Sequence, residues 1–280
     1  GDDDDNDALS TFGFGSSLSL SHNGSRLAVG SQTGAFVFDY EAFLGQWSLV
    51  GGEMNEEMIQ DYDDGRHADV ALSEDGMRLA VGGAHHYYST GRVRVYDIRD
   101  DISATGEGVF TQVGQTMVGQ FINDQWGYSL SLSGHGSVVA AGCFHVNGGN
   151  YIKVYTLREN SDKKEWFPLK KGDGLVANGK DNKMFGSSAS LSSRGDLLVV
   201  GLVNKEHQSR AVLYGLNRDA LLWRQIGQVD GMEKNDQGRF TVSISPDGRY
   251  FATAAISGSG GDMTDNGRVH IFEIVDENHI

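Results

Sequence analysis

The sequence predicts an all-β protein, a single five-bladed β-propeller whose last blade lacks a regular fourth strand. Three observations predict it. One strand–turn–strand pattern recurs five times in 280 residues. Glycine is abundant, with 39 residues against only 2 prolines. That glycine content is about twice the usual ~7%, and each interior glycine weakens a helix by ~1 kcal/mol relative to alanine. A chain that is 39% hydrophobic and 10% aromatic still has enough apolar surface to bury a core.

The first element of each repeat, strand a, reads Ser17 to Ser21, Asp69 to Ser73, Ser129 to Ser133, Ser188 to Ser192 and Thr241 to Ser245. Its second residues, 18, 70, 130, 189 and 242, are spaced 52, 60, 59 and 53 apart, in the range of propeller blades. Small residues on one face of this strand leave room for Leu or Val from the neighbouring blade. A tight turn follows: His22-Asn23-Gly24, Glu74-Asp75-Gly76, Gly134-His135-Gly136, Ser193-Arg194-Gly195 and Pro246-Asp247-Gly248. Asn-Gly and Asp-Gly are strong hairpin signals because both residues tolerate positive φ. Strand b follows as Leu27-Ala28-Val29-Gly30, Leu79-Ala80-Val81-Gly82 and their counterparts.

A variable loop leads to strand c, where Val93 to Tyr96 matches Ile152 to Tyr155, Ala211 to Tyr214 and Val269 to Phe272. Strand d opens on an aromatic residue: Trp47, Phe110, Trp166 or Trp223. Four short strands joined by tight turns describe one propeller blade. The blades fall at about 12–52, 66–115, 126–172, 185–228 and 239–275, in one domain spanning 1–280. The fifth repeat has no clear strand d, which leaves 5 × 4 − 1 = 19 clear strands. The segment Asp7 to Thr11 is the expected substitute, paired beside Val269 to Phe272; the alternative is an open blade covered by a partner.

Charge excludes several functions. Lys and Arg number 23 and Asp and Glu 38, a net charge of −15. Such a chain repels phosphate backbones, so nucleic acid is not an expected partner, and anionic membranes are disfavoured. The longest apolar run, Leu197 to Val203, is too short to span a bilayer. Cys143 is the single cysteine, so no internal disulfide forms, and it reads as a small core residue.

Three repeats carry an aromatic-glycine pair ahead of strand a: Phe14-Gly15, Trp126-Gly127 and Phe185-Gly186. With the S-L-S-x-(D/N)-G-x-x-L-A-V-G and G-x-V-x-V-Y patterns, this resembles the FG-GAP-like and WD40-like propeller repeats of integrin α-chains and microalgal proteins. Arg66-His67 and Gly238-Arg239 depart from that pattern. The resemblance implies binding surfaces in an extracellular or organelle-lumen setting, with a cytoplasmic location as the alternative. It also implies calcium in Asp-rich loops. The nearest match is Asp61, Asp63 and Asp69, with Arg66 in its midst; a solvated acidic turn is the competing reading.

Catalysis finds little support in the pattern. Five-bladed glycosidases need at least two carboxylates on the channel strands, and strand a offers one, Asp69. The serines recur with the repeat and form no nucleophile elbow. The expected role is therefore a non-catalytic scaffold that binds a protein through its rim loops. A carbohydrate-binding propeller is the alternative, and a hydrolase acting through Asp69 the weaker one. His85, His86, His145 and His207 lie in b–c loops, and ligands must converge at about 2 Å to hold zinc, so solvated loop histidines are expected. The cluster His85, His86, Tyr87 and Tyr88 is the expected partner contact, since tyrosine is enriched at interfaces.

Overall fold

The computed structural model describes residues 13–32, 34–51, 68–99, 109–143, 150–161, 163–169, 175–176, 182–204, 208–234, 239–256 and 268–275. It is a five-bladed β-propeller, each blade an antiparallel meander. Blade 1 is β1 (Ser17–Leu20), β2 (Arg26–Gly30), β3 (Ala35–Glu41) and β4 (Gln46–Leu49). Blade 2 is β5 (Ala68–Leu72), β6 (Arg78–Gly83), β7 (Arg92–Ile98) and β8 (Phe110–Gln112), with β9 (Met117–Val118) also paired to β7. Blade 3 is β10 (Ser129–Leu132), β11 (Val138–Gly142), β12 (Tyr151–Asn160) and β13 (Lys163–Pro168), with β14 (Leu175–Val176) also paired to β12. Blade 4 is β15 (Asn182–Leu191), β16 (Leu197–Asn204), β17 (Gln208–Asn217) and β18 (Leu222–Lys234). Blade 5 has three strands among the described residues, β19 (Arg239–Ile244), β20 (Tyr250–Ile256) and β21 (Arg268–Glu273). The segment expected to complete it, 7–11, lies outside the described residues.

The five a–b turns share one construction. The serine that ends strand a accepts the N–H five residues on: Arg26 at 2.9 Å, Arg78 at 2.9 Å, Val138 at 3.0 Å, Leu197 at 3.1 Å and Tyr250 at 2.9 Å. The turn glycine takes φ between 65° and 73° in all five, a region closed to most side chains. This explains why Ser and Gly recur at fixed offsets.

Consecutive blades are joined in three ways. Apolar clusters fill each junction; Val70, Leu72, Ile98 and Phe110 of blade 2, for example, pack on Ala28, Ala35 and Val37 of blade 1. Turns are linked by backbone bonds from His22 N–H to Glu74 O, Glu74 N–H to Gly134 O, Gly134 N–H to Ser193 O, and Ser193 N–H to Pro246 O. Finally, the small residues of strand a do more than leave room for packing. Ser17 and Ser19 accept N–H bonds from Val70 and Leu72, Ser131 from Leu191, and Ser188 and Ser190 from Val242 and Ile244, at 2.8–3.1 Å. The innermost strand of a blade has N–H groups with no partner in its own sheet, and the preceding blade supplies the acceptor.

The junction from blade 5 back to blade 1 is different. Among the described residues no hydrogen bond joins β19 to β1. Leu18 and Leu20 are 63% and 55% exposed, whereas their counterparts Val70 and Leu72 are 4% and 7% exposed. On blade 5, Val269 and Ile271 are 68% and 73% exposed.

Candidate protein-binding rim

Four antiparallel strands alternate in direction, so the b–c loops and the connections from strand d to the next strand a share one rim of the disc. At blades 2 and 3 these segments lock together. The b–c loop of blade 2 contains a helical turn, His86–Ser89. It faces the connection between β9 and β10. Asn123 N–H donates to Tyr88 O at 3.2 Å, Gln125 N–H to Ser89 O at 2.7 Å, Trp126 N–H to Thr90 O at 3.3 Å, and Gly119 N–H to Gly91 O at 3.0 Å.

Strain concentrates at this seam of loops. Among the described residues five non-glycine positions have positive φ, and four are here: Tyr88, Ser89, Asn123 and Gln125. Each costs about 1–3 kcal/mol and persists only where its surroundings enforce it. Gly91, at φ 82°, is pressed against the Trp126 backbone, where a Cβ would overlap the carbonyl oxygen. Trp126 is fully buried and donates from Nε1 to Ala141 O at 3.2 Å. Buried Asp124 fixes the next turn: Oδ2 accepts from Gln120 N–H at 2.9 Å, Phe121 N–H at 2.7 Å and the Tyr151 hydroxyl at 2.6 Å. Burial, and then the bond to Asp124, hold the Tyr151 hydroxyl far above its ordinary pKa, so it remains a donor.

On this rigid base stand Tyr88, Phe121 and Ile122, 67%, 60% and 61% exposed. Val118 and Tyr128 are also exposed on the same connection. They are exposed apolar side chains on an enforced backbone. Of these, the sequence pattern singles out Tyr88 and not Phe121 or Ile122. An adjacent aromatic-aliphatic pair in a polar connection was the available signal.

The other expected site residues fall elsewhere. His85 is buried beneath the turn, its Nδ1 3.4 Å from Ser89 Oγ, so it is no surface contact. The backbone of His86 and Tyr87 is in the helical turn; their side chains lie outside the described set. Asp61 and Asp63 also lie outside the described residues, as do His145 and His207. Cys143 is buried in the cluster between blades 2 and 3, as expected.

Asp69 is the carboxylate member of the strand a ladder. Its Oδ1 accepts from the Ser17 hydroxyl, and its Oδ2 from Leu130 N–H at 2.6 Å, so it ties blades 1, 2 and 3 together. Burial pushes its pKa up to about 6, against the opposing pull of the Ser17, Leu130 and Val70 donors. That is an inter-blade acceptor role. Among the described residues no group of three or more His, Cys, Asp or Glu is placed to hold a metal ion, and no helix is long and apolar enough to cross a membrane.

Fold and site together define a β-propeller carrying an apolar patch on one rim. By sequence, no described family and no curated protein matches the chain. In three dimensions it is similar to Sqt1 of Chaetomium thermophilum, solved bound to the N-terminus of ribosomal protein L10. The TM-score is 0.53 at 16% identity, over 93% of this chain and 59% of that one. It is also similar to TolB of Acinetobacter baumannii (TM-score 0.47, 11% identity, 92% of this chain and 51% of that one). A third is a putative 6-phosphogluconolactonase of Bacteroides fragilis (TM-score 0.48, 14% identity, 91% and 72%). The chain thus spans about half the length of TolB and somewhat more of Sqt1. The likeness is one of fold alone, that of a β-propeller.

Proposed function

We propose that this chain is a non-catalytic scaffold that binds a protein partner through the rim patch of Tyr88, Phe121 and Ile122. The observation that carries this reading is the coincidence of exposure with enforcement. Three large apolar side chains are held in solvent by four left-handed residues and a buried Asp124. A surface that served no contact has no reason to maintain that strain. The chemistry asks for a partner with an apolar anchor, because aromatic side chains at the centre of an interface contribute most of its energy. Basic residues around that anchor would meet the net charge of −15. Sqt1, of similar fold, was solved bound to the N-terminus of ribosomal protein L10, an instance of a propeller holding a protein segment. The narrower likeness to FG-GAP-like repeats rests on Phe14-Gly15, Trp126-Gly127 and Phe185-Gly186, and agrees with a binding role.

The exposed Tyr88 leaves one second reading, a saccharide stacked on its ring. Affinity capture with wild-type protein, Phe121→Asp/Ile122→Asp and Phe43→Ser separates these readings. Phe43 is fully exposed at the c–d turn of blade 1, on the opposite rim. The expected result is one protein partner, lost with the double variant and retained with Phe43→Ser, all three proteins melting alike. Retention by the double variant overturns the rim assignment, and strong glycan-array binding lost on Tyr88→Ala replaces protein with carbohydrate.

A further inference from the structure

The rim at blades 2 and 3 is chemically unlike the rest of the surface. Residues 83–91 and 113–129 supply its described part. Together they hold a single Asp, Glu, Lys or Arg, Asp124, in a chain that is 22% charged. Asp124 is 2% exposed, and its Oδ2 already accepts from the Gln120 and Phe121 amides and the Tyr151 hydroxyl. Arg92, just past the b–c loop, is buried. Arg94 on β7 and Lys153 on β12 are engaged: Arg94 Nε donates to Thr116 Oγ1 at 3.1 Å, and Lys153 Nζ stands 5.0 Å from the centre of the Tyr151 ring. The turns of the opposite rim are the contrary case, with Glu74, Asp75, Arg194, Asp219 and Asp247.

What this zone exposes is apolar or neutral. Phe121, Ile122 and Asn123 are consecutive, and Tyr88, Val118 and Tyr128 stand in the same two segments. Gln120 and Asn123 are exposed amides, a side chain that can both donate and accept. A charged group pressed on such a surface loses its water and meets no opposite charge, which opposes binding. A peptide amide placed there exchanges its water for a hydrogen bond to Asn123, while an apolar side chain covers Phe121 and Ile122. Neutrality therefore acts as a filter, because it rejects charged segments as well as accepting uncharged ones.

Resting on the protein-binding reading of this rim, we propose that the patch selects an uncharged polypeptide segment. The segment's apolar side chains lie on Tyr88, Phe121 and Ile122, and its backbone amides pair with Asn123. Acidic and basic residues are excluded from the contact itself. Basic groups drawn by the net charge of −15 belong outside this zone. Because no ion pair forms at the contact, salt leaves the affinity of a short segment nearly unchanged.

A library of random peptides displayed on phage, selected on the full chain, tests this. The enriched peptides are expected to share a core of aromatic or aliphatic residues free of Asp, Glu, Lys and Arg. As synthetic peptides they are expected to bind with a Kd constant within about twofold from about 50 to about 500 mM sodium chloride. Binding is expected to be lost on Phe121→Asp/Ile122→Asp. Asn123→Asp keeps a residue that tolerates the positive φ of this position and puts one carboxylate in the zone. It is expected to weaken the neutral peptide about tenfold, and to bind a version carrying one added lysine better than the wild type does. Enriched peptides that are charged and salt-sensitive, yet lost on the double variant, overturn the neutral selection and leave the rim as the binding site. Peptides of any kind that bind the double variant equally well overturn the rim assignment, and this inference with it. A selection that enriches no sequence, or an Asn123→Asp variant that binds as the wild type does, overturns the proposal.

Discussion

The four inner junctions and the one between blades 5 and 1 are made from the same repeat, and they end in opposite states. Inside the array, Leu72, Leu132, Leu191 and Ile244 are buried against the preceding blade; Leu20, their counterpart, is exposed. Inside, strand a amides are bonded to hydroxyls across the junction; among the described residues no such bond reaches Leu18 or Leu20. Burial in a repeat protein therefore follows from the neighbour as much as from the residue type. A leucine in this repeat is core only where another blade covers it.

The widest gap is expected at the aromatic residues that open strand d. Trp166 is buried in the cluster between blades 2 and 3, and donates to Val113 O at 2.8 Å. Trp166→Ala is expected to cost about 3–5 kcal/mol in urea unfolding, as large-to-small core changes do. Trp47, its counterpart on the open face, is 43% exposed, and Trp47→Ala is expected to cost under about 1 kcal/mol. Equal costs would mean that the open face is covered.

Asp69 sharpens the contrast within the inner junctions, because it does with a carboxylate what Ser17 and Ser188 do with a hydroxyl. Its pKa is raised from 3.8 to about 6. The folded state thus binds a proton more tightly than the unfolded state, and the group's contribution is greatest below about pH 4. It falls as pH rises through about 6, by at most about 3 kcal/mol. Asp69→Ser is expected to remove this part of the pH dependence. Melting temperatures of the two proteins from pH 4 to 8 check it, and an unchanged slope counts against a buried ladder carboxylate.

Smaller effects are expected at the ladder hydroxyls. Ser131→Ala strands the Leu191 N–H and is expected to cost about 1 kcal/mol. Ser243→Ala, at the open face, is expected to fall within about 0.5 kcal/mol of wild type. Chemical denaturation of the two variants side by side checks the pair.

Much of this architecture is legible in the sequence because repetition amplifies weak signals. Val-Arg-Val-Tyr at 93–96 alone says little, but its three counterparts fix strand c. Among the described residues the last blade has three strands, in line with the lack of a clear strand d in the fifth repeat. What breaks the repeat is harder to read. Phe121, Ile122 and Asp124 lie in the connection between β9 and β10, and the Tyr151 hydroxyl that meets Asp124 is 27 residues away. The serines are visible as small residues, but their role as acceptors needs the neighbouring blade in place. His85 looks like a surface histidine because nothing local shows the helical turn that folds over it.

Hydrogen exchange at the strand a amides tests the central claim most directly, read by NMR on dilute protein. The amides of Val70, Leu72, Leu130, Leu191, Val242 and Ile244 donate across an inner junction, and are expected to be protected to the level of the global unfolding free energy. Leu18 and Leu20 are expected to exchange orders of magnitude faster. Protection of Leu18 and Leu20 equal to that of Val70 and Leu72 in the dilute monomer would contradict the account.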